Sequence, residues 1–335
     1  MPPEPDCFQA LFHRRWHHLR DVHVRSLAWL LDAPDLLDRN ALQWAGKIAT
    51  LEADPVELDI WLRELDAAPA ALHAHLNMAA MSRLGRYAEK LLAFYFAARG
   101  TLLAYGLQVQ ASGQDTVGEF DFLLRDGANL IHWEFATKFY LFEATRAGGH
   151  GDDFVGPNLA DTLGAKMDKI LNRQLALSLH PAAQPYLPQA VVQARALIKG
   201  WLFYHRDQTV ALGASGVSAI HCRGSWCTLA EFAALEGDRF AVLPRLSWLA
   251  PARLPATESL SRSAMAAWLG EHFARDAMPV MLAHLRDETS DERDSGVEPE
   301  QPMVLENSRS FVVPNDWRAR AGQRLQRAVL RSDLN

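Results

Sequence analysis

Apolar positions recur every three to four residues from Arg83 to Ala98, where Leu84, Tyr87, Ala88, Leu91, Leu92, Tyr95 and Phe96 fall on one broad face. The spacing predicts an amphipathic helix, closed by Arg99-Gly100 in the manner of a glycine cap. The period then changes to two. Leu102 to Gln110, Gly118 to Leu124 and Asn129 to Leu141 read as strands, the last two joined through Arg125-Asp126-Gly127. In the third, Ile131, Trp133, Phe135, Phe139 and Leu141 alternate with His132, Glu134, Ala136, Lys138 and Tyr140. The first set is expected in a core, the second along a surface or a cleft.

Upstream, residues 8 to 99 read as mostly helical, with the run Leu27-Ala28-Trp29-Leu30-Leu31 stopping at Asp32-Ala33-Pro34. Downstream, a polar loop, Gly148 to Asp153, leads to a helix expected from roughly Leu159 to Leu179. It would bury Leu163, Met167, Ile170 and Leu171 and carry Lys166, Lys169 and Arg173 on a common side. Val191 to Tyr204 and Phe240 to Leu243 look like strands, and Glu258 to Arg275 like a helix. Arg286 to Glu300 holds seven acids against two arginines and reads as a solvated linker. A short strand, Phe311-Val312-Val313, and a helix from Trp317 to about Arg331 follow. The expected organisation is a helical segment (1–80), a core (81–180), an α+β elaboration (181–285), an acidic linker (286–308) and a terminal strand and helix (309–335).

Composition narrows the class. With 335 residues, 49% hydrophobic and 22% charged, the chain can bury a substantial core. No run of eighteen apolar residues occurs, so no spanning helix and no membrane partner are expected. Met1-Pro2-Pro3-Glu4-Pro5-Asp6 lacks the basic-then-apolar pattern of a signal peptide. Three cysteines, Cys7, Cys222 and Cys227, suit reduced thiols and a cytoplasmic location. A net charge of −6 does not favour a generic nucleic-acid binder, although local basic patches remain open. Phosphate-loop, dinucleotide and serine-elbow motifs are absent, so no nucleotide cofactor is expected.

The chemistry-bearing positions are carboxylates on adjacent strands. Asp121 shares its face with Glu119, so both can approach Glu134 across the hairpin, and Glu89 precedes them on the helix. Phosphodiester hydrolysis needs a hard cation, Mg²⁺ or Mn²⁺, held by one or two carboxylates with water and substrate oxygens completing the shell. A nearby lysine can orient the water or offset the developing charge. The plain alternative is that these acids are exposed polar residues of a half-solvated sheet. Lys166, Lys169 and Arg173 would contact a DNA or RNA backbone. Arg320, Arg324, Arg327 and Arg331 form a second basic row, equally readable as a solvated face. His13-Arg14-Arg15-Trp16-His17-His18 reads as the exposed side of a first helix. His221-Cys222 and Cys227 offer too few ligands for a structural zinc site.

The series Leu84-Gly85-Arg86-Tyr87-Ala88-Glu89, then Gly118-Glu119-Phe120-Asp121, then Glu134 resembles the core of the PD-(D/E)XK nuclease superfamily. There a helix supplies a glutamate, the second strand an aspartate and the third strand an acid followed two positions later by lysine. Val24 to Leu31, Gly85 to Phe96, Glu134 to Leu141, Gly156-Pro157-Asn158, Lys199 to Phe203 and Trp248 to Pro251 are similar to a bacterial family called domain of unknown function 1853. The resemblance spans nearly the whole chain. It implies an α/β fold, a restriction-endonuclease-like core of mixed β-sheet flanked by helices, with an N-terminal helical segment and a C-terminal α+β elaboration. It also implies a Mg²⁺-dependent nuclease with Asp121, Glu134 and Glu89 as the metal-site residues. One departure stands out: Ala136 occupies the usual lysine position. Lys138 is on the same face, about 13 Å from Glu134 along the strand at ~3.3 Å per residue, and is the expected substitute. The alternative is an inactive nuclease-like fold that binds nucleic acid or protein; a third reading is an enzyme using the same carboxylates on another substrate. Oligomeric state is not legible.

Overall fold

The structure is a computed structural model that describes residues 7–111, 115–144, 150–206, 215–289, 292 and 301–332, the last seven of these as backbone alone. Helices come first: α1 (Phe8–Trp16), α2 (Val22–Asp32), α3 (Pro55–Ala67), α4 (Ala70–Leu76) and α5 (Leu84–Ala98). Local chemistry starts them. Asp21 accepts from the amides of His23 and Val24 at the head of α2, and Asp54 caps α3, whose first residue is Pro55. Ala33, extended because Pro34 follows, ends α2.

The chain then builds β1 (Leu102–Gln110), β2 (Thr116–Asp126), β3 (Asn129–Phe142), β4 (Phe154–Val155), α6 (Leu163–Lys169), β5 (Val191–His205) and β6 (Cys222–Thr228). It closes with β7 (Arg239–Val242), β8 (Arg253–Pro255), β9 (Leu260–Ser261), α7 (Arg262–Arg275), β10 (Val280–Asp287), β11 (Met303–Val313) and α8 (Trp317–Ser332). One mixed sheet joins the strands in the order β1-β2-β3-β5-β6-β11-β10-β7-β9, with β4 on β3 and β8 on β11. β1, β2 and β3 run antiparallel; β3, β5, β6 and β11 run parallel. The strands of the expected core and of its C-terminal elaboration therefore share one sheet.

Helices α1, α2 and α5 cover one face over a core containing Trp16, Trp29, Phe96, Phe135 and Trp201. The segment from α6 covers the other, over Ala136, Tyr140, Met167, Ile170 and Ile198. β5 is buried on both faces from Ala196 to His205, which explains its nearly continuous apolar reading. Gly200 sits opposite Lys138 in the β3–β5 ladder, and a Cβ there would lie 1.9 Å from the Lys138 carbonyl oxygen, so only glycine fits.

Several expectations need correction. The polar face of β3 is not a surface: His132 and Glu134 are fully buried, because the α6 segment packs over it. The helix expected over Leu159–Leu179 starts later, at Leu163 behind the Thr162 cap, and changes to a π turn (Ile170–Gln174) and then a 3-10 turn (Leu175–Leu179). The helix expected from Glu258 begins at Arg262. The strand placed at Phe311–Val313 starts at Met303, so it takes the end of the expected acidic linker into the sheet. Residues 290–291 and 293–300 of that linker, 145–149 of the polar loop and the side chains of Arg327 and Arg331 lie outside the described residues. The basic N-terminal stretch is not simply exposed. His13, Trp16 and His18 are buried, with His13 Nε2 3.0 Å from the Glu306 carbonyl oxygen. Among the described residues no helix is long and apolar enough to cross a membrane.

Candidate active site

The site forms where β2 and β3 part. Their ladder runs from Asp126–Asn129 to Phe122–Trp133 and then stops. Just beyond, the Phe135 amide donates to Asp121 Oδ2 at 2.8 Å. A backbone donor that would otherwise be buried without an acceptor thus fixes the aspartate beside β3. The Asp121 and Glu134 carboxyl groups are neighbours close enough for each to perturb the other's titration. Two buried carboxyls side by side disfavour ionisation of both, so the pair tends to keep a proton.

Glu134 is held at both oxygens. Oε1 lies 2.9 Å from His132 Nε2, and Oε2 accepts a short hydrogen bond from Gln174 Nε2. The His132 and Glu134 side chains have no solvent exposure. Gln174 arrives from the π turn after α6, a distortion that recurs at functional sites. Two buried atoms here have no partner among the described residues, His132 Nδ1 and Gln174 Oε1. Glu89, half-buried, reaches the cluster from α5, while Glu119 is drawn off by Arg86 at 3.9 Å and Gln108 at 3.4 Å.

Electrostatics follow from this packing. Burial, and then the neighbouring Asp121, pushes Glu89 up to about 7. Burial, and then Glu134, pushes Asp121 up to about 7. Burial takes Glu134 up to about 8, against the opposing pull of its hydrogen bonds with Asp121 and of the Lys166 ammonium. Burial lowers His132 to about 4, so its imidazole is neutral near pH 7. The cluster is an anion site short of positive charge, and it retains protons as a result.

Glu89, Asp121 and Glu134 are near enough to influence one another's charge, yet among the described residues they do not form a three-acid metal group. Lys138 is placed differently. The lysine acting on both Glu89 and Glu134 is Lys166 of α6. Lys138 is surrounded by Lys166, Asp161 and Lys169, and its amine lies 5.9 Å from the Tyr140 ring centroid. Ala136 is buried in the core under α6. Lys169 and Arg173 are exposed. Sequence reasoning did not single out His132 or Gln174. The alternation of β3 carried a signal for His132, two residues before Glu134; none pointed to Gln174, forty residues away.

A Mg²⁺ or Mn²⁺ ion suits the donors in part. Asp121, Glu134 and Glu89 offer the hard oxygens such ions prefer, and the unpartnered Gln174 Oε1 adds another. Among the described residues no group of three His, Cys, Asp or Glu side chains is placed to hold a metal ion. The fit is to an ion held by one or two carboxylates that keeps water or substrate oxygens.

The model of a family described as Domain of unknown function (DUF1853) covers residues 25–313. No curated protein and no solved structure matches the chain.

Proposed function

Since the chain belongs to the DUF1853 family, whose description names no activity, we propose from the site itself a divalent-metal-dependent hydrolase of nucleic-acid phosphodiesters. The observation that carries this reading is the buried pair of carboxyls, Asp121 and Glu134, set where two strands part and oriented by the Phe135 amide, His132 and Gln174. The order of helix, three antiparallel strands, covering helix and parallel strand, with Glu89, Asp121 and Glu134 on the first helix, second strand and third strand, supports a restriction-endonuclease-like core.

Asp121 and Glu134 would hold the ion and Glu89 would support it. When bound, the ion would polarise the phosphate and lower the pKa of the attacking water. The chain's own groups do the rest. Asp121 and Glu134 would release a retained proton to solvent as the ion takes its place, while His132 and Gln174 keep Glu134 in one orientation. Lys166 sets positive charge beside Glu89 and Glu134, where charge builds on the phosphate. Lys169 and Arg173, exposed further along the same segment, face solvent for backbone contacts with DNA or RNA. The buried, protonated thiols of Cys222 and Cys227 suit a reducing, cytoplasmic setting.

The second reading, an inactive nuclease-like module that binds nucleic acid or protein, is favoured by Ala136 at the lysine position and by the complete enclosure of Glu134. A cleavage assay separates the two. Labelled single-stranded and duplex DNA and RNA are incubated with Mg²⁺ or Mn²⁺, and in parallel with a chelator. Metal-dependent cleavage by the wild type that Asp121→Asn reduces by at least about 10³-fold supports the hydrolase. Tight binding without cleavage supports the module.

A further inference from the structure

Beyond the carboxyl cluster, β3 has an open edge. Its β2 partner ends at Trp133 and its β4 partner begins at Leu141, so among the described residues the strand between them has no neighbour on that side. A cavity of about 180 Å³ occupies the gap, lined by Thr137, Lys138, Asn158, Asp161, Arg245 and Trp248 among others. Two cations line it. The Lys138 amine makes no hydrogen bond or ion pair among the described residues; its named contact is the Tyr140 ring. The Arg245 guanidinium, on an exposed residue, lies over the Trp248 ring at 5.5 Å and likewise has no carboxylate partner there. The one acid in the lining, Asp161, accepts from the Tyr140 hydroxyl at 2.9 Å. Lys166 and Lys169 add to the positive field around Lys138. Cations without an acid partner among the described residues, in a gap also lined by Phe139, Trp248 and Met278, fit an anion.

We propose that this gap is a second phosphate subsite, in which Lys138 and Arg245 hold a backbone phosphate of the strand whose cut bond lies at Asp121 and Glu134. The inference rests on the hydrolase reading and narrows its substrate. Four residues of strand separate Lys138 from Glu134, about 13 Å. That is too far for both sites to grip one phosphate, so the substrate must supply at least two. The preferred substrate is then a polynucleotide rather than a mononucleotide. The Asn158 amide and the unpaired edge of β3 add neutral donors for the same oxygens.

The test is binding of labelled oligonucleotides, single-stranded and duplex, to the full-length chain by fluorescence anisotropy. It is run with a chelator present, so that nothing is cut, and near pH 6.5, where the carboxyls retain protons. Wild type, Lys138→Met, Arg245→Ala and the distant control Arg63→Ala are compared across a salt series, and melting curves confirm that each is folded. Lys138→Met keeps the buried stem, and Arg245→Ala alters an exposed residue, so at least one variant reports on binding alone. The subsite predicts about tenfold weaker oligonucleotide binding in each site variant, with the salt slope reduced by about 1. The control and the affinity for a mononucleotide should not change. Oligonucleotide binding that is equal in wild type and both variants overturns the subsite and leaves the hydrolase reading standing. No oligonucleotide binding by the wild type, with chelator or with Ca²⁺, overturns both.

Discussion

Glu134→Gln is expected to make the metal-free protein more stable above neutral pH, by on the order of 3 kcal/mol near pH 8. Glu134 is fully buried and its carboxyl is pushed up to about 8, well above the ordinary range. Between about pH 5 and pH 8 the unfolded chain has lost this proton while the native state keeps it. Unfolding then releases a proton, and rising pH favours the unfolded chain. Asp121 and Glu89, both raised to about 7, act with the same sign. The buried histidines act oppositely. His13, lowered to about 3, and His132 and His221, lowered to about 4, destabilise the native state in acid, and that effect ends near pH 6.5. The informative window is therefore pH 6.5 to 8, where the carboxyls dominate and Lys138, lowered by burial to about 8, opposes them only at the upper end. Glutamine keeps the shape and both polar atoms: its oxygen can accept from Gln174, and its amide can donate to His132 Nε2 if the proton sits on Nδ1. Urea denaturation at pH 6.5, 7.2 and 8 should show wild-type stability falling more steeply than the variant's, whose remaining slope comes from Asp121 and Glu89. Parallel curves for the two proteins would mean that Glu134 is ionised in the native state across the whole range.

The second large effect lies away from the site. Arg309→Ala is expected to lower stability by about 4 kcal/mol, because it strands Glu306 as a buried, unpaired charge. Both side chains are fully enclosed. Arg309 Nε donates to Glu306 Oε1 at 2.6 Å and Nη2 to Oε2 at 2.9 Å. The guanidinium also donates to the carbonyls of Trp248 and Ala250 and stacks 3.9 Å over the Trp201 ring. One side chain thus ties β11 to the segment ahead of β8 and to the centre of β5. Replacing both members, with Arg309→Met and Glu306→Met together, should recover more than half of the loss, since no lone charge remains. Chemical denaturation of the two singles and the double reads the coupling directly. A double variant as unstable as the sum of the singles would show that the two side chains act independently.

Much of the site could be read from the chain because strands impose strict parity. Alternation along β3 set Glu134 apart from Phe135, and the hairpin turn placed β2 beside it. Helical spacing gave α5 and hence Glu89. Parity could not say whether the polar face of β3 meets water. That depended on the α6 segment lying across it, a contact between residues far apart in sequence. Nor could spacing decide which lysine meets the carboxylates. Lys138 was the nearer in sequence to Glu134, yet Lys166 acts on it, because the crossover helix returns over the same strand. Gln174 was hidden for a related reason: the π turn that aims it at Glu134 interrupts the regular helix that Lys166, Lys169 and Arg173 suggested. The length of β11 was masked by composition, since Met303 to Ser310 includes Glu306, Arg309 and other polar residues that are buried only because they pair with one another or with the chain nearby.

The most direct test of the central claim is Mn²⁺ calorimetry near pH 7 on the wild type and on Asp121→Asn with Glu134→Gln, in two buffers of different ionisation enthalpy. The account predicts Mn²⁺ binding by the wild type with a buffer-dependent heat, as a proton retained by the raised Asp121–Glu134 pair leaves, and none by the folded double variant. Equal binding by both proteins, or no binding by the wild type even when an oligonucleotide is present, would contradict it.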